Sequence, residues 1–328
     1  MILSIIIPAY KVEKYVRKTL ESVFSENFSD DEVEVIVVND GTPDRSMDIV
    51  NEFASHKSLR IINQENQGLS GARNTGIKAA KGKYVWFVDS DDSIEGGFLR
   101  MILPILRDST ENVYMMMMRE IYENSDRERI IRFPNMKIPQ KINGCKVIWQ
   151  ESRTNIKITP MQKYIVRRQF IIDNELYFVQ GIYHEDLEYA PRMLVSTENI
   201  VMVPWVGYCY LWRSGGSITT NPHLKERRLA SRIAIYQCLE RQISNNNDEI
   251  IRKALALCRF KIAASIFNQL SFDEFLEASK NSANIISTSK FKKDTMRNLF
   301  FDRKIFHLGR MLLFLLSPRL LKYSHKGL

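Results

Sequence analysis

The sequence predicts an α/β protein, a doubly wound and mostly parallel sheet flanked by helices, with a C-terminal helical region. Three observations predict it. Over the first hundred residues, short β-branched runs alternate with segments of helical periodicity, the pattern that gives parallel sheets. The run Tyr84-Val85-Trp86-Phe87-Val88 ends abruptly in Asp89-Ser90-Asp91-Asp92, and open α/β sheets bind ligands at the carboxyl ends of their strands. From Leu224 onward the pattern is helical almost throughout, with a break at Asn245-Asn246-Asn247.

Residues 3–8 read as the first strand, stopped by Pro8, which cannot donate to a central ladder. Tyr15, Val16, Thr19, Leu20, Val23 and Phe24 recur at helical spacing and place a helix over 13–25. Residues 33–38 and 59–62 are the second and third strands. Between them, Pro43 and Asp44 suit the first turn of a helix running to about His56. Gly68 opens a helix carrying Ala72, Arg73, Asn74, Ile77 and Ala80, with Gly82 as its stop. Residues 84–92 form the fourth strand.

Residues 99–106 look helical, but Pro104 should end or kink that helix. Residues 113–118 read as a strand whose methionines fill core, and 123–146 as a polar, irregular insert. The organisation expected is one domain over 1–222, with a nucleotide-binding half (1–100) and an acceptor half (101–222). A helical, basic region follows over 223–328.

The 328 residues are 45% hydrophobic and 26% charged, as in a soluble globular protein. The formal charge is +9, and residues 290–328 alone, with ten Lys/Arg against two Asp/Glu, carry +8. That argues for a local basic patch and against a nucleic-acid-coating protein. Cys145, Cys209, Cys238 and Cys258 are widely separated and read as reduced thiols of a cytoplasmic protein. No secretory leader is read at the N-terminus, and the apolar run from Met311 to Leu316 is far short of the ~18 residues of a spanning helix. The tail sets Phe300, Phe301, Ile305, Phe306 and Leu308 among Arg297, Arg303 and Lys304. It reads as a docked helix or as a basic amphipathic anchor on the inner face of the plasma membrane.

Three carboxylates within four positions repel one another unless a cation or a proton relieves them. A hard divalent cation takes such oxygens and shares them with substrate phosphates; the alternative is a solvated turn capping the next helix. No Gly-x-Gly-x-x-Gly follows the first strand and no Walker A sequence is present, so the acid cluster is the candidate phosphate holder. A second acidic stretch, His184-Glu185-Asp186-Leu187-Glu188, precedes a helical face of Leu187, Ala190, Met193 and Leu194. Its acids sit at a helix N-terminus, which would lower a carboxylate pKa and weaken a base, an effect that exposure or a neighbouring acid could offset; from the residues alone, capping suits Asp186 better. A strand running into a Gly-Ser loop behind Arg213 can hold a phosphate.

Four motifs resemble the family-2 inverting glycosyltransferases of the GT-A fold, of the bacterial polysaccharide-biosynthesis type. They are Ser4-Ile-Ile-Ile-Pro-Ala-Tyr10, Val37-Val-Asn-Asp-Gly-Thr42, Gly68-Leu-Ser-Gly-Ala-Arg-Asn-Thr-Gly76 and Phe87-Val-Asp-Ser-Asp-Asp92, in the family's order. The resemblance is densest over 1–100, thinner to about 220 and not evident beyond. It implies a nucleotide diphosphate sugar donor (a UDP-sugar), Mg²⁺ or Mn²⁺, and a hydroxyl acceptor on a saccharide or lipid-linked saccharide of cell-surface polysaccharide synthesis. The sugar moved would be a hexosyl or N-acetylhexosaminyl group.

The resemblance also implies residue roles. Asp40 would bond the uracil ring, its bland alternative being a helix cap. Pro8, Ala9 and Tyr10 would form the base- and ribose-contacting loop, with Glu13 nearby. Arg73 would face the nucleotide, and Ser90 would lie in the nucleotide-sugar site. Asp89 and Asp91 would meet the metal and diphosphate, with Asp92 sharing that duty. Asp186 would be the base, with Glu185 beside it, and Arg213 and Ser217 would contact the diphosphate or the acceptor. Thr159-Pro160-Met161-Gln162 departs from the Pro-Trp often found there, which leaves that loop's acceptor role open. Two alternatives stand beside this reading. A sugar-nucleotide pyrophosphorylase would carry a glycine-rich, Arg-containing loop where Pro8-Ala9-Tyr10-Lys11 lies. A non-catalytic nucleotide- or saccharide-binding relative would be expected to lack Asp91 or Asp186.

Overall fold

Leu-Ser-Ile-Ile-Ile-Pro-Ala forms β1 (Leu3–Ala9), and all seven residues are buried, as expected of a strand covered on both faces. After α1 (Val16–Phe24), β2 (Val33–Asn39) pairs with β1 in parallel. After α2 (Ser46–Asn51), β3 (Leu59–Asn63) pairs beyond β2. The chain then crosses through α3 (Gly68–Ala79) to β4 (Tyr84–Phe87), on the other side of β1. The order β3-β2-β1-β4 reverses direction at β1, and the crevice at the strands' carboxyl ends is where such sheets bind ligands. The computed structural model describes residues 1–133, 138–151, 157–214, 222–270, 285–288, 290, 291, 293 and 294.

Three expectations in this half are corrected. β1 runs through Pro8 to Ala9. The Ile6 carbonyl accepts from Val88 N–H, so even-numbered β1 residues aim their polar groups at β4. Pairing with β4 ends at Ile6–Phe87, and the N–H that Pro8 lacks falls beyond it. β4 stops at Phe87 instead of Asp92, because the Asp92 N–H folds back onto the Asp89 carbonyl in a turn. Gly82 is not the stop of α3, whose cap is Ala80 in extended conformation. A Cβ on Gly82 would lie 2.5 Å from the Ser4 nitrogen, so glycine is required there by close backbone approach.

The sheet continues through β5 (Ser93–Ile94), α4 (Phe98–Asp108), β6 (Val113–Tyr122), β7 (Glu128–Ile131), β8 (Gln140–Ile142) and α5 (Gly144–Glu151). β9 (Tyr164–Arg167), α6 (Arg168–Asp173), α7 (Asp186–Val195) and β10 (Ile200–Trp212) complete it. α4 passes through Pro104 without ending. Its face of Phe98, Leu99, Ile102, Leu103 and Leu106 is buried, and this packing outweighs one missing hydrogen bond. The stretch expected to be irregular holds β7 and β8, antiparallel to β6 and β10. β9 is antiparallel between β4 and β6, while β10 runs parallel to β6. The carboxyl ends of β1, β2, β4, β6 and β10 therefore open in one direction. The core of this unit joins Ile5, Ile7, Val35, Trp86, Phe98 and Tyr208, all fully buried.

The chain divides into two units, Met1–Asn221 and Pro222–Leu328. In the second, α8 (Lys225–Ser244) and α9 (Glu249–Gln269) flank the Asn-rich break. Asp248 caps α9 by accepting from the N–H groups of Ile250 and Ile251, as an N-cap aspartate does. Buried Asp294 accepts from Tyr236 at 2.7 Å and pairs with Arg259 at 2.8 Å. The tail from 295, with its candidate membrane anchor, lies outside the described residues. Among those described, no helix is long and apolar enough to cross a membrane.

Candidate active site

The turn after β4 brings Asp89, Asp91 and Asp92 together, one carboxylate oxygen from each lying within 4.8 Å of the others. Tyr208 of β10 shapes this turn: its buried hydroxyl accepts from the Asp89 N–H at 3.2 Å and donates to Asp92 Oδ2 at 2.5 Å. The Leu211 N–H donates to Asp92 Oδ1 at 2.7 Å. Asp92 is 4% exposed and has both oxygens committed to β10. Burial, then Asp91 and Asp89, raise its pKa well above the carboxylate range. Asp89 and Asp91 have side chains 21% and 20% exposed, so they are the more accessible pair, although each already has a protein partner. Burial and the neighbouring Asp89 push Asp91 up to about 6, against the pull of Arg213, whose Nε lies 3.0 Å from Asp91 Oδ2.

Arg73 ties this turn to the second acidic stretch. Ala72 and Gly71 beside it on α3 are buried, and Arg73 is itself 1% exposed. One terminal nitrogen donates to Asp89 Oδ1 at 2.7 Å and the other to Glu185 Oε1. The Phe178 ring lies 5.2 Å away. Arg73 is thus a buried link between acids 96 positions apart in sequence. Glu185 is held by it, and Glu188 is held by Arg192 at 2.9 Å, so neither is a free carboxylate.

Asp186 is the first residue of α7 and remains partly exposed. A helix N-terminus lowers a carboxylate pKa, yet here the reverse holds. Burial first, then the charges of Glu185 and Asp89, push Asp186 up to about 8 against the opposing pull of Arg73. The neighbouring acids and burial thus outweigh the helix N-terminus at Asp186.

The other candidates line the ends of β1 and β2. Asp40 is 2% exposed; its Oδ1 accepts from the Gln64 side chain at 2.7 Å and the Gln67 N–H at 2.8 Å. It does not cap α2, whose N-cap is Arg45. Pro8 is buried in β1, while Tyr10 is 41% exposed, with the Lys11 ammonium 5.3 Å from its ring. Glu13 accepts from the Arg45 N–H at 3.1 Å and clamps two loops together. Ser90 is buried within the acid turn. Ser217 lies outside the described residues. Sequence reading missed two groups. Gln162 donates to Asp89 Oδ2 at 2.5 Å, and Tyr208 reaches the turn across 119 residues; no local signal in either segment points to Asp89.

The family profile described as Glycosyl transferase family 2 matches residues 4–172, over half of the chain. The chain belongs to glycosyl transferase family 2. Among curated family members, it is 30% identical over 226 residues to "Uncharacterized glycosyltransferase EpsJ" of Bacillus subtilis, covering 68% of this chain and 64% of that protein. It is 27% identical over 219 residues to "Poly(ribitol-phosphate) beta-N-acetylglucosaminyltransferase TarS" of Staphylococcus aureus, covering 65% of this chain and 36% of that protein. The chain thus spans less than two thirds of the length of these relatives. The crystal structure of S. aureus TarS 1-349 in complex with UDP-GlcNAc superposes with a TM-score of 0.63 at 19% identity, covering 100% of this chain and 92% of that one. The fold is the GT-A type that the family-2 motifs implied.

The acid turn also fits the divalent cation expected of this family. Its oxygens are the hard donors that Mg²⁺ or Mn²⁺ prefers, and Asp91, raised first by burial and then by the charge of Asp89, would gain from a cation beside it. Asp89 and Asp91 would hold the ion, with Arg73, Gln162 and Tyr208 fixing Asp89 from behind.

Proposed function

We propose that the protein moves a sugar from a nucleotide diphosphate sugar to a hydroxyl acceptor, with inversion and in a single displacement. The observation that carries this reading is the Arg73 guanidinium shared by Asp89 and Glu185, which unites a diphosphate-binding turn and a base-bearing helix in one site. Asp186 takes the proton of the acceptor hydroxyl as that oxygen attacks the anomeric carbon opposite the departing diphosphate. Its raised pKa makes it a stronger base than an ordinary carboxylate. Arg213 is placed beside Asp91 to bind a diphosphate bidentately. A bound divalent cation supplies neutralisation of the charge that develops on the leaving group.

The donor in this reading is a UDP-sugar. Ionised, Asp40 can only accept, which suits the imino N–H of uracil, and exposed Tyr10 offers a ring beside it. The acceptor is a saccharide or lipid-linked saccharide, and the basic stretch 290–328 would draw the chain to anionic lipid. The test is calorimetric titration with UDP, with and without Mn²⁺, followed by a transfer and hydrolysis screen across nucleotide sugars, reading the product anomer by NMR. Mn²⁺-dependent UDP binding and an inverted product are expected. Absence of nucleotide binding, or full activity in chelator, would sink the reading.

A further inference from the structure

The ends of β6 and β10 carry an aromatic cluster that the transfer step leaves unused. Tyr208, Tyr210 and Trp212 alternate along β10 and share one face. Trp212 stands opposite Tyr122 of β6, and Tyr210 opposite Glu120. The Tyr122 and Trp212 rings are parallel within 9°, with centroids 6.1 Å apart, and Tyr210 meets Trp212 edge-on at 5.2 Å. Arg127 closes one end, 4.7 Å from the Tyr122 centroid. Lys157 lies 5.9 Å from the Trp212 centroid, tied to Glu120 at 2.9 Å.

Two features set this cluster apart from ordinary core. Tyr122, Tyr210 and Trp212 all remain partly exposed. The Trp212 indole nitrogen is nonetheless buried and has no hydrogen-bond partner among the described residues, whereas a buried tryptophan N–H normally finds one. The cluster also borders the reacting groups. Tyr208 on the same face binds Asp89 and Asp92, and Arg213, next along the chain, pairs with Asp91. Burial and then the charges of Asp92, Asp89 and Asp91 raise the pKa of the Tyr210 hydroxyl, as its closeness to that turn requires.

We propose that Tyr210 and Trp212, backed by Tyr122, form the subsite for the sugar ring of the acceptor. A pyranose has an apolar face of C–H groups and a rim of hydroxyls. Its apolar face seats against the exposed parts of the aromatic rings. Lys157, its side chain 45% exposed and anchored by buried Glu120, supplies a donor at the edge, the sparse polar framing typical of small-molecule sites. The inference rests on the glycosyltransferase reading and adds to it that the acceptor presents a pyranose, not a ring-free polyol phosphate.

The test is saturation-transfer NMR on the full chain with methyl β-D-glucopyranoside, methyl β-D-galactopyranoside, methyl N-acetyl-β-D-glucosaminide and glycerol 3-phosphate, each with and without UDP and Mn²⁺. At least one glycoside should receive saturation mainly on one ring face. That signal should fall at least fivefold in Trp212→Ala and Tyr210→Leu, and by less in Trp212→Phe, which keeps a ring. Where Trp212→Ala loses the wild-type melting transition, Trp212→Phe and Tyr210→Leu are read in its place. Saturation of none of the glycosides, of glycerol 3-phosphate alone, or equally in wild type and the folded variants overturns the subsite. A UDP titration of the same wild-type sample tests the donor reading separately.

Discussion

Arg73 Nη2 lies 2.7 Å from Asp89 Oδ1 with the arginine side chain 1% exposed, so a buried cation on α3 holds the acid that opens the metal-type turn. Its other terminal nitrogen holds Glu185. Two carboxylates on one guanidinium leave Asp89 and Glu185 sharing a single cation.

Removing one member of a buried charge cluster costs about 3–5 kcal/mol, because the others stay buried and uncompensated. Arg73→Met should therefore lower stability by about that amount in urea titration. Arg73→Lys should fold better, yet a single ammonium cannot reproduce the two-pronged contact, and kcat should fall sharply. Wild-type stability in Arg73→Met would show that the network carries no structural load.

Asp91 tests the cation. Asp91→Asn keeps the shape of the turn and removes one negative charge, so the fold should survive with unchanged or slightly raised stability. Metal-dependent UDP binding should weaken by more than the ~10–100-fold typical of groups behind a ligand, and transfer should be nearly abolished. Calorimetry with Mn²⁺ and UDP reads the first and product assay the second. Normal turnover by the variant would remove Asp91 from the metal site.

Much of this was legible in the sequence, for definite reasons. The buried parallel strands β1 and β2 announce themselves as apolar runs, and the acids after β4 stand at the end of such a run. α7 was legible because Leu187, Ala190, Met193 and Leu194 keep helical spacing. The site's wiring was not. Arg73 reads as an arginine on a helix until Glu185, 112 positions away, is seen in contact with it. The sign of the Asp186 shift was left open because the helix dipole and the neighbouring Glu185 pull oppositely; burial and the through-space charge of Asp89, invisible in the chain, tip it upward. β7 and β8 were missed because short edge strands such as Glu-Arg-Ile-Ile and Gln-Lys-Ile carry too few residues for a period to show.

Tyr208 should act as a positioning residue. Its hydroxyl joins the Asp89 N–H to Asp92 Oδ2, and among the described residues no other group bonds that N–H or that oxygen in place of the hydroxyl lost in a Tyr208→Phe variant. Leaving buried partners unpaired costs about 1–3 kcal/mol, and misplacing Asp89 should weaken Mn²⁺ affinity in the presence of UDP by about 10–100-fold. A purely structural tyrosine would lose stability and leave that affinity unmoved.

Asp186 gives a prediction with two opposite signs. A general base works only when deprotonated, and the pH dependence of kcat/KM reports the free enzyme. With Asp186 pushed up to about 8, kcat/KM should rise through that pH and fall below it. Asp186→Asn should lose about 10²–10⁴-fold in kcat while UDP affinity stays close to wild type. Stability should move the other way. A carboxyl whose pKa is raised on folding binds its proton more tightly in the folded chain than in the unfolded one, where the value is about 3.9. Its contribution to stability is therefore fully present below that value and is lost as pH climbs toward about 8. Asparagine does not titrate, so the stability of Asp186→Asn relative to wild type should climb from about pH 4 to 8 and level off above. Urea titrations of both proteins at several pH values read this difference directly. A flat difference across that range would mean that Asp186 ionises at an ordinary pKa, and the rise of kcat/KM near pH 8 would then need another group.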